Sequence, residues 1–382
     1  MSEIDPGFGV YVHWPFCQTI CPYCDFNVHT ETEIDEAHWR QALRDELAHY
    51  AAETTGRTVT SLYFGGGTPS LMSPETIAAL IDDVRRHWTV RDDIEITLET
   101  NPTSSERERL HEFRAAGVNR VSVGVQSLDD TALAFLGRQH SADDAIRTLE
   151  AAQAIFPRTT FDLIYARPAQ TLDAWRSELH QALSITSDHI SLYQLTIEPG
   201  TPFARSGLQP ADEDAAADMF EATQETLNAT SLPCYEISNH ARPGNESRHN
   251  LTCWRGGDYL GIGPGAHGRL TLNDGFFGTH QIHNPKRWLQ LTQAKGNGTA
   301  KRRALSAEDR ARELVMMGLR LVEGIDKARF RKITGLPVEQ IIDTQARDRL
   351  IDGNLLLEDD ARIRASADGR QKLNALLASL LK

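Results

Sequence analysis

Nowhere in its 382 residues does the chain hold a run of eighteen apolar side chains, so no segment reads as a membrane-spanning helix. Its first residues, Met1-Ser-Glu-Ile-Asp-Pro-Gly7, lack the basic and apolar stretches of a secretory signal. Basic charge is also short: 40 Lys and Arg stand against 53 Asp and Glu, a net charge of −13. That balance counts against an extended phosphate-binding surface, and so against nucleic acid as a partner. Cysteine is scarce, five in all, and three of them crowd into one short stretch, which excludes a disulfide framework. The expectation is a cytoplasmic chain of about two domains in a reducing compartment.

The crowded cysteines are Cys17, Cys21 and Cys24, at C-x-x-x-C-x-x-C spacing just after the β-like run 10–14, so their sulfurs can converge on one loop. A tetrahedral zinc site wants a fourth ligand at matching spacing, and neither a second Cys pair nor a His-x-x-x-His partner follows. A cubane 4Fe–4S cluster held by three thiolates leaves one iron open, free to chelate a molecule that donates nitrogen and oxygen. The spacing, with Tyr23 before the last Cys, resembles the radical S-adenosylmethionine (SAM) superfamily.

From here, β-like runs at 58–64, 94–98, 120–125, 160–165 and 189–195 alternate with amphipathic stretches at 35–50, 74–88, 105–116, 129–136, 143–155 and 172–185. With the run before the cysteines this makes six β/α units, an α/β pattern that predicts a partial (β/α)6 barrel. Catalytic groups in such barrels sit just past the C-terminal ends of the strands. There lie the cysteines, Gly65-Gly66-Gly67-Thr68, Glu99 and Gln126, and strand five itself carries Asp162. The glycines would let backbone approach a ligand closely. Glu99 can receive an ammonium or a hydroxyl, Gln126 offers an amide, and Asp162 offers an acceptor for ribose hydroxyls. Arg138 has a fork that grips carboxylates, but it lies beyond its strand, where geometry alone would not select it.

The β/α period breaks at 198–202, and a helix at 212–229 and a short strand at 235–237 follow. The segment 241–284 is rich in Gly, His and aromatics without a clean period, and is expected to be a structured loop region across the barrel mouth. It holds His249, His267, His280 and His283, and His249 is the first choice for an imidazole on haem iron. Cys253, like Cys234, reads as small buried packing. From 285 to 382 the pattern is a smaller C-terminal α+β domain resembling a winged helix, its basic residues interspersed with acids, so it is expected to dock on the barrel (1–240) or on a protein rather than on DNA.

Taken together, Tyr11-x-His-x-Pro-Phe-Cys17, Cys21-Pro-Tyr-Cys-Asp-Phe-Asn27, Phe64-Gly-Gly-Gly-Thr-Pro-Ser70, Gly124-Val-Gln-Ser127, Asp162-Leu-Ile-Tyr165, His249-Asn-Leu-Thr-Cys-Trp254 and Gly261-Ile-Gly-Pro-Gly-Ala-His267 resemble the HemW haem chaperones, relatives of oxygen-independent coproporphyrinogen III oxidase. The resemblance implies that Cys17, Cys21 and Cys24 hold a 4Fe–4S cluster. It also implies that Tyr11, Tyr23, Gly66, Gly67, Thr68, Glu99, Gln126, Arg138 and Asp162 contact SAM. Haem would be cargo, delivered to haem-dependent, respiratory apo-enzymes, with membrane contact only through the acceptor. The oxidase carries a further cysteine where this chain has Phe26, and an N-terminal extension; both departures favour the chaperone over radical decarboxylation of coproporphyrinogen. The chaperone pattern has Tyr where Cys253 stands.

Overall fold

Side chains alternate along β1 (Phe8–Trp14): Val10, Val12 and Trp14 are buried in the helix-covered core, while Gly9, Tyr11 and His13 face the other way. In the computed structural model, which describes residues 5–381, β1 pairs in parallel with β2 (Thr58–Gly66). The parallel series continues through β3 (Thr89–Thr100), β4 (Arg120–Gln126), β5 (Arg158–Tyr165) and β6 (His189–Gln194). Helices join consecutive strands, beginning with α1 (Glu36–Glu53) and α2 (Pro74–His87), so the six expected β/α units are present. Their starts are written locally: Ser73 caps α2 ahead of Pro74, and Ser141 and Asp144 form a reciprocal capping box for the helix Ala142–Ile155. The expected helix at 105–116 divides into Ser104–Glu108 and Leu110–Ala116. At the break, Arg109 donates to the carbonyls of Ser70 (2.9 Å) and Met72 (2.7 Å), tying the turn to the exit of β2.

The stretch 241–284, expected as loop across the barrel mouth, holds a helix and three strands. After β7 (Asn239–Ala241), which pairs antiparallel with β6, come the helix Arg248–Trp254, then β8 (Asp258–Ile262), β9 (His267–Leu272) and β10 (Gly275–Gln281). β8 runs parallel to β1 on its free side, and β9, β10 and β11 (Thr299–Leu305) extend it antiparallel. The order is β11-β10-β9-β8-β1-β2-β3-β4-β5-β6-β7. Glycine hid these strands, because it replaces side chains where backbones cross closely: a Cβ on Gly261 would lie 2.0 Å from the His267 carbonyl oxygen. The short strand expected at 235–237 is likewise absent; Cys234 and Glu236 make only isolated bridges, to His240 and Leu321.

Trp288 and the helix Pro285–Lys295 pack with the large sheet, so the second core begins later than residue 285, near Ala311. It encloses β12 (Ile325–Asp326), β13 (Leu356–Glu358) and β14 (Arg362–Ala365), in the order β12-β14-β13, among short helices. The helix Ala307–Gly318, β12, the helices Lys327–Thr334 and Thr344–Asp352, and then β13 and β14 follow one another as in a winged helix. This module docks on the large domain, as its interspersed acids suggest. Arg255 grips Glu323 through two bonds of 2.8 Å, Arg320 reaches Glu236 (3.1 Å), and buried Arg310 donates to the Gly256 carbonyl (2.7 Å).

One buried acid sets the outer strands. Glu46 of α1 accepts from the backbone of Gly263 (2.8 Å) and Gly298 (2.7 Å) and from the Trp288 indole (3.1 Å), and burial pushes its carboxyl up to about 7. Glu46→Ala leaves three buried donors without a partner, at about 1–3 kcal/mol each. A clearly lower melting temperature is expected in calorimetry; an unchanged transition would show that Glu46 does not hold these turns.

Candidate active site: the cysteine loop and the strand ends

Past the C-terminal ends of the parallel strands lies one cavity of about 430 Å³, within the range of small-molecule sites. Cys17, Cys21, Cys24, Tyr23, Gly66, Gly67, Thr68, Glu99, Gln126, Arg138 and Asp162 all line it. Of the candidate residues only Tyr11 and His249 do not.

The cysteine loop is held by backbone: Cys17 N donates to His29 O (2.9 Å), His29 N to Pro15 O (2.7 Å), and the Asn27 amide to the carbonyls of Pro264 and His283 (2.9 Å each). Thr68 Oγ1 points at Cys17 Sγ (3.5 Å) and an Arg138 nitrogen at Cys21 Sγ (3.4 Å). Burial raises the Cys17 thiol and pushes Cys24 up to about 11, so neither is a thiolate without a cationic centre to stabilise it. Among the described residues no three His, Cys, Asp or Glu side chains close around a single ion. The trio therefore does not suit a lone tetrahedral zinc; it fits a cluster in which each sulfur takes a different iron.

The glycines line the cavity and are also required by the protein's own packing. Gly66 has φ +113°, and a Cβ there would stand 2.7 Å from the His13 ring and 2.9 Å from the Trp14 carbonyl oxygen. A Cβ on Gly67 would stand 2.7 Å from Phe16 O and 3.0 Å from Cys17 Sγ. What needs the missing side chains is the seating of the β2 loop on the cysteine loop, fastened by Gly67 N to Trp14 O (2.7 Å) and Thr68 N to Phe16 O (2.9 Å).

Glu99 accepts from the Tyr63 hydroxyl (2.8 Å) and Gly66 N (3.3 Å), and burial pushes it up to about 7. Burial also raises Asp162, to about 6, against the pull of Ser191, Ser122 and the Arg120 and Arg138 guanidiniums. Gln126 sits at φ +71°, unusual for a residue with a side chain and worth about 1–3 kcal/mol of strain, at a register shift between β4 and β5. Arg138 returns to the site after the short helix Asp130–Phe135, donating to Gly124 O (2.9 Å) and Asn101 Oδ1 (2.5 Å). Its Nε is buried with no hydrogen-bond partner among the described residues, as expected of a donor kept for a ligand. Behind the rim, Glu178 accepts from Leu128 N (2.9 Å) and Arg167 (2.7 Å) and fixes the loop after Gln126.

His249, expected as a haem ligand, is closed off. Its ring is 7% exposed, shares a 3.1 Å hydrogen bond with Ser61 Oγ, and packs against Tyr63 (5.0 Å) and Tyr11 (6.1 Å) inside the barrel. Burial pushes it down to about 4, so it is a neutral, hydrogen-bonded core histidine rather than an open ligand. Tyr11 supports the rim from below, its hydroxyl 3.0 Å from His13 Nδ1. Burial pushes Cys253 up to about 12, consistent with packing, and Cys253 and Cys234 lie outside the cavity lining.

Polar lining residues that escaped the sequence reading include Asn101, Ser122 and Tyr193. Asn101 bridges Thr68 Oγ1 (3.1 Å) and Arg138, while Ser122 and Tyr193 reach the cavity from β4 and β6. The available signal was polar side chains at alternate positions near the ends of apolar strands.

Residues 11–182 match the model of the radical SAM superfamily, and residues 305–371 that of the HemN C-terminal domain. The chain is 37% identical to the haem chaperone HemW of Escherichia coli, covering 98% of each. It is 41% identical to the bovine protein named radical S-adenosyl methionine domain-containing protein 1, mitochondrial, covering 98% of this chain and 87% of that one. In fold it is similar to the solved coproporphyrinogen III oxidase (HemN) of E. coli, a radical SAM enzyme, with a TM-score of 0.83 at 24% identity over 98% of this chain and 90% of the other.

Proposed function

The chain belongs to the radical SAM superfamily and, within it, to the family of haem chaperones called HemW, and from that premise we propose that it binds haem as cargo and delivers it to haem-dependent apo-enzymes. The observation that carries this reading is the likeness to a protein named haem chaperone over 98% of both chains, barrel and C-terminal module together. Respiratory enzymes are the acceptors we favour, reached in the cytoplasm, with any membrane contact made through the acceptor. Among the described residues no helix is long and apolar enough to cross a membrane.

In this reading Cys17, Cys21 and Cys24 supply the three sulfurs of the resident 4Fe–4S cluster. Bound there, such a cluster offers an open iron to chelate the amino-acid end of SAM and an electron able to split its carbon–sulfur bond. The chain's own groups orient the ligand. In this reading Glu99 would accept from the ammonium, the unpartnered Nε of Arg138 would meet the carboxylate, and Asp162 would accept from ribose hydroxyls, with Gln126 and the backbone of Gly66 to Thr68 beside them. Tyr23 completes the wall next to the sulfurs, and Tyr11 holds the layer below.

The oxidase reading is tested directly. Anaerobically reconstituted protein given coproporphyrinogen, SAM and a reductant is expected to form no protoporphyrinogen. The same preparation should take up haem stoichiometrically and pass it to an apo haem enzyme, followed by the return of that enzyme's activity. Efficient turnover of coproporphyrinogen would overturn the chaperone assignment.

A further inference from the structure

We infer that haem iron is taken by an imidazole cluster on the outer strands, His267, His280 and His283, with the porphyrin lying toward Phe26 of the cysteine loop and a propionate toward Lys301. This rests on the haem-carrying reading above and replaces the buried His249 as the iron ligand.

Strand register builds the cluster. His280 on β10 is the direct partner of His267 on β9 and of Lys301 on β11. Directly paired residues share a face of the sheet. Lys301 stands on that face by the regular β10–β11 register, and the bulge that follows, with Ala300 as the extra residue, turns Thr299 to pair with Gln281. The opposite face is already occupied. There Gln281 and Thr299 bond to Tyr50, and Arg302 to Glu53, all on α1. On the histidine face the helix Ala307–Gly318 covers only one end, where Arg269 bonds to Glu313 (2.8 Å) and Arg303 to Asp309 (3.2 Å), and His267, His283 and Lys301 at the other end are exposed.

The rings of His267 and His280 stack at 4.1 Å between centroids, and His283 meets His280 edge-on at 4.5 Å. His280 Nε2 is buried without a hydrogen-bond partner among the described residues, an unpartnered nitrogen amid other imidazoles. These imidazoles do not close around a bare ion, whereas haem iron already has four porphyrin nitrogens and asks only for axial ligands.

The cysteine loop borders the cluster, because the Asn27 side chain donates to the His283 carbonyl (2.9 Å). Its neighbour Phe26 is 65% exposed, an apolar ring at the cavity mouth that no packing explains. An axial nitrogen, an apolar plane and a cation are what an amphipathic iron porphyrin with acidic side chains requires.

The test loads haemin onto the full chain and reads the Soret band and the haem retained through desalting. In His267→Ala/His280→Ala/His283→Ala the Soret band is expected to shift or bleach and retained haem to fall at least about tenfold. Lys301→Glu should lower retention less, without moving the band, and His249→Gln should leave both as in the wild type. Melting temperature and cluster iron should stay unchanged in the triple variant, since two of its three rings are exposed. An unaltered Soret band and retention in that variant would overturn this inference while leaving the chaperone reading standing, the more so if His249→Gln loses the band. A wild-type protein that retains no haem overturns both.

Discussion

Replacing any one of Cys17, Cys21 or Cys24 by Ala is expected to abolish the iron–sulfur charge-transfer absorbance of anaerobically reconstituted protein, while Cys234→Ala and Cys253→Ala leave it intact. The asymmetry follows from where the sulfurs are. The first three line one cavity on a loop pinned by the Cys17 to His29 and Asn27 to Pro264 hydrogen bonds, so the backbone cannot slide to offer a substitute ligand. Two sulfurs would leave a second iron uncovered, and a binding free energy that is shared among ligands collapses when one is removed. The Cys253 thiol, held neutral by burial, has no path to the site. Iron content and absorbance measured together decide the matter. Zinc in anaerobically prepared protein, unchanged by reconstitution, would sink the cluster reading.

The parts of the fold that were legible are those where one rule dominates. β1 to β6 are buried on both faces, so they stand out as apolar runs, and the helices between them are punctuated by caps such as Ser73-Pro74 and Ser141. β8 to β10 were not legible because their glycines are a signal for loops when read along the chain. In space they admit neighbouring strands: a Cβ on Gly268 would lie 2.5 Å from Thr279 Oγ1. The same division runs through the candidate site. Glu99 and Gln126 stand at the C-terminal ends of β3 and β4 and Asp162 within β5, where the barrel rule could place them, but Arg138 came only from the family resemblance, since a helical turn carries it back to the rim. His249 shows the converse case. Its motif marked it as special, but what the fold asks of it is a hydrogen bond to Ser61 and packing between two tyrosines. The imidazoles that remain open, His267 and His283, sit in the segment whose strands the sequence concealed.

Gly67→Val is expected to remove both cluster iron and SAM binding. A glycine that merely let a ligand approach would, when replaced, weaken SAM binding and leave iron untouched. Here the first atoms a new Cβ meets belong to the cysteine loop, Phe16 O at 2.7 Å and Cys17 Sγ at 3.0 Å, and a branched side chain adds two more methyl groups to the conflict. Relief by separation would break the bonds from Gly67 N to Trp14 O and from Thr68 N to Phe16 O. Each is worth about 1 kcal/mol net, and more if its donor is left buried and unpaired. Relief by rotation of Cys17 moves a sulfur that its two companions cannot follow. Thr68→Val supplies the contrast: it removes the hydroxyl that meets Cys17 Sγ and Asn101 but keeps the backbone bond, so iron should stay while SAM affinity falls. Iron per chain and calorimetric SAM affinity, measured on both variants, separate the cases. Full iron with weak SAM binding in Gly67→Val would return the glycine to the role of admitting ligand, and unchanged SAM affinity would take the loop out of the site.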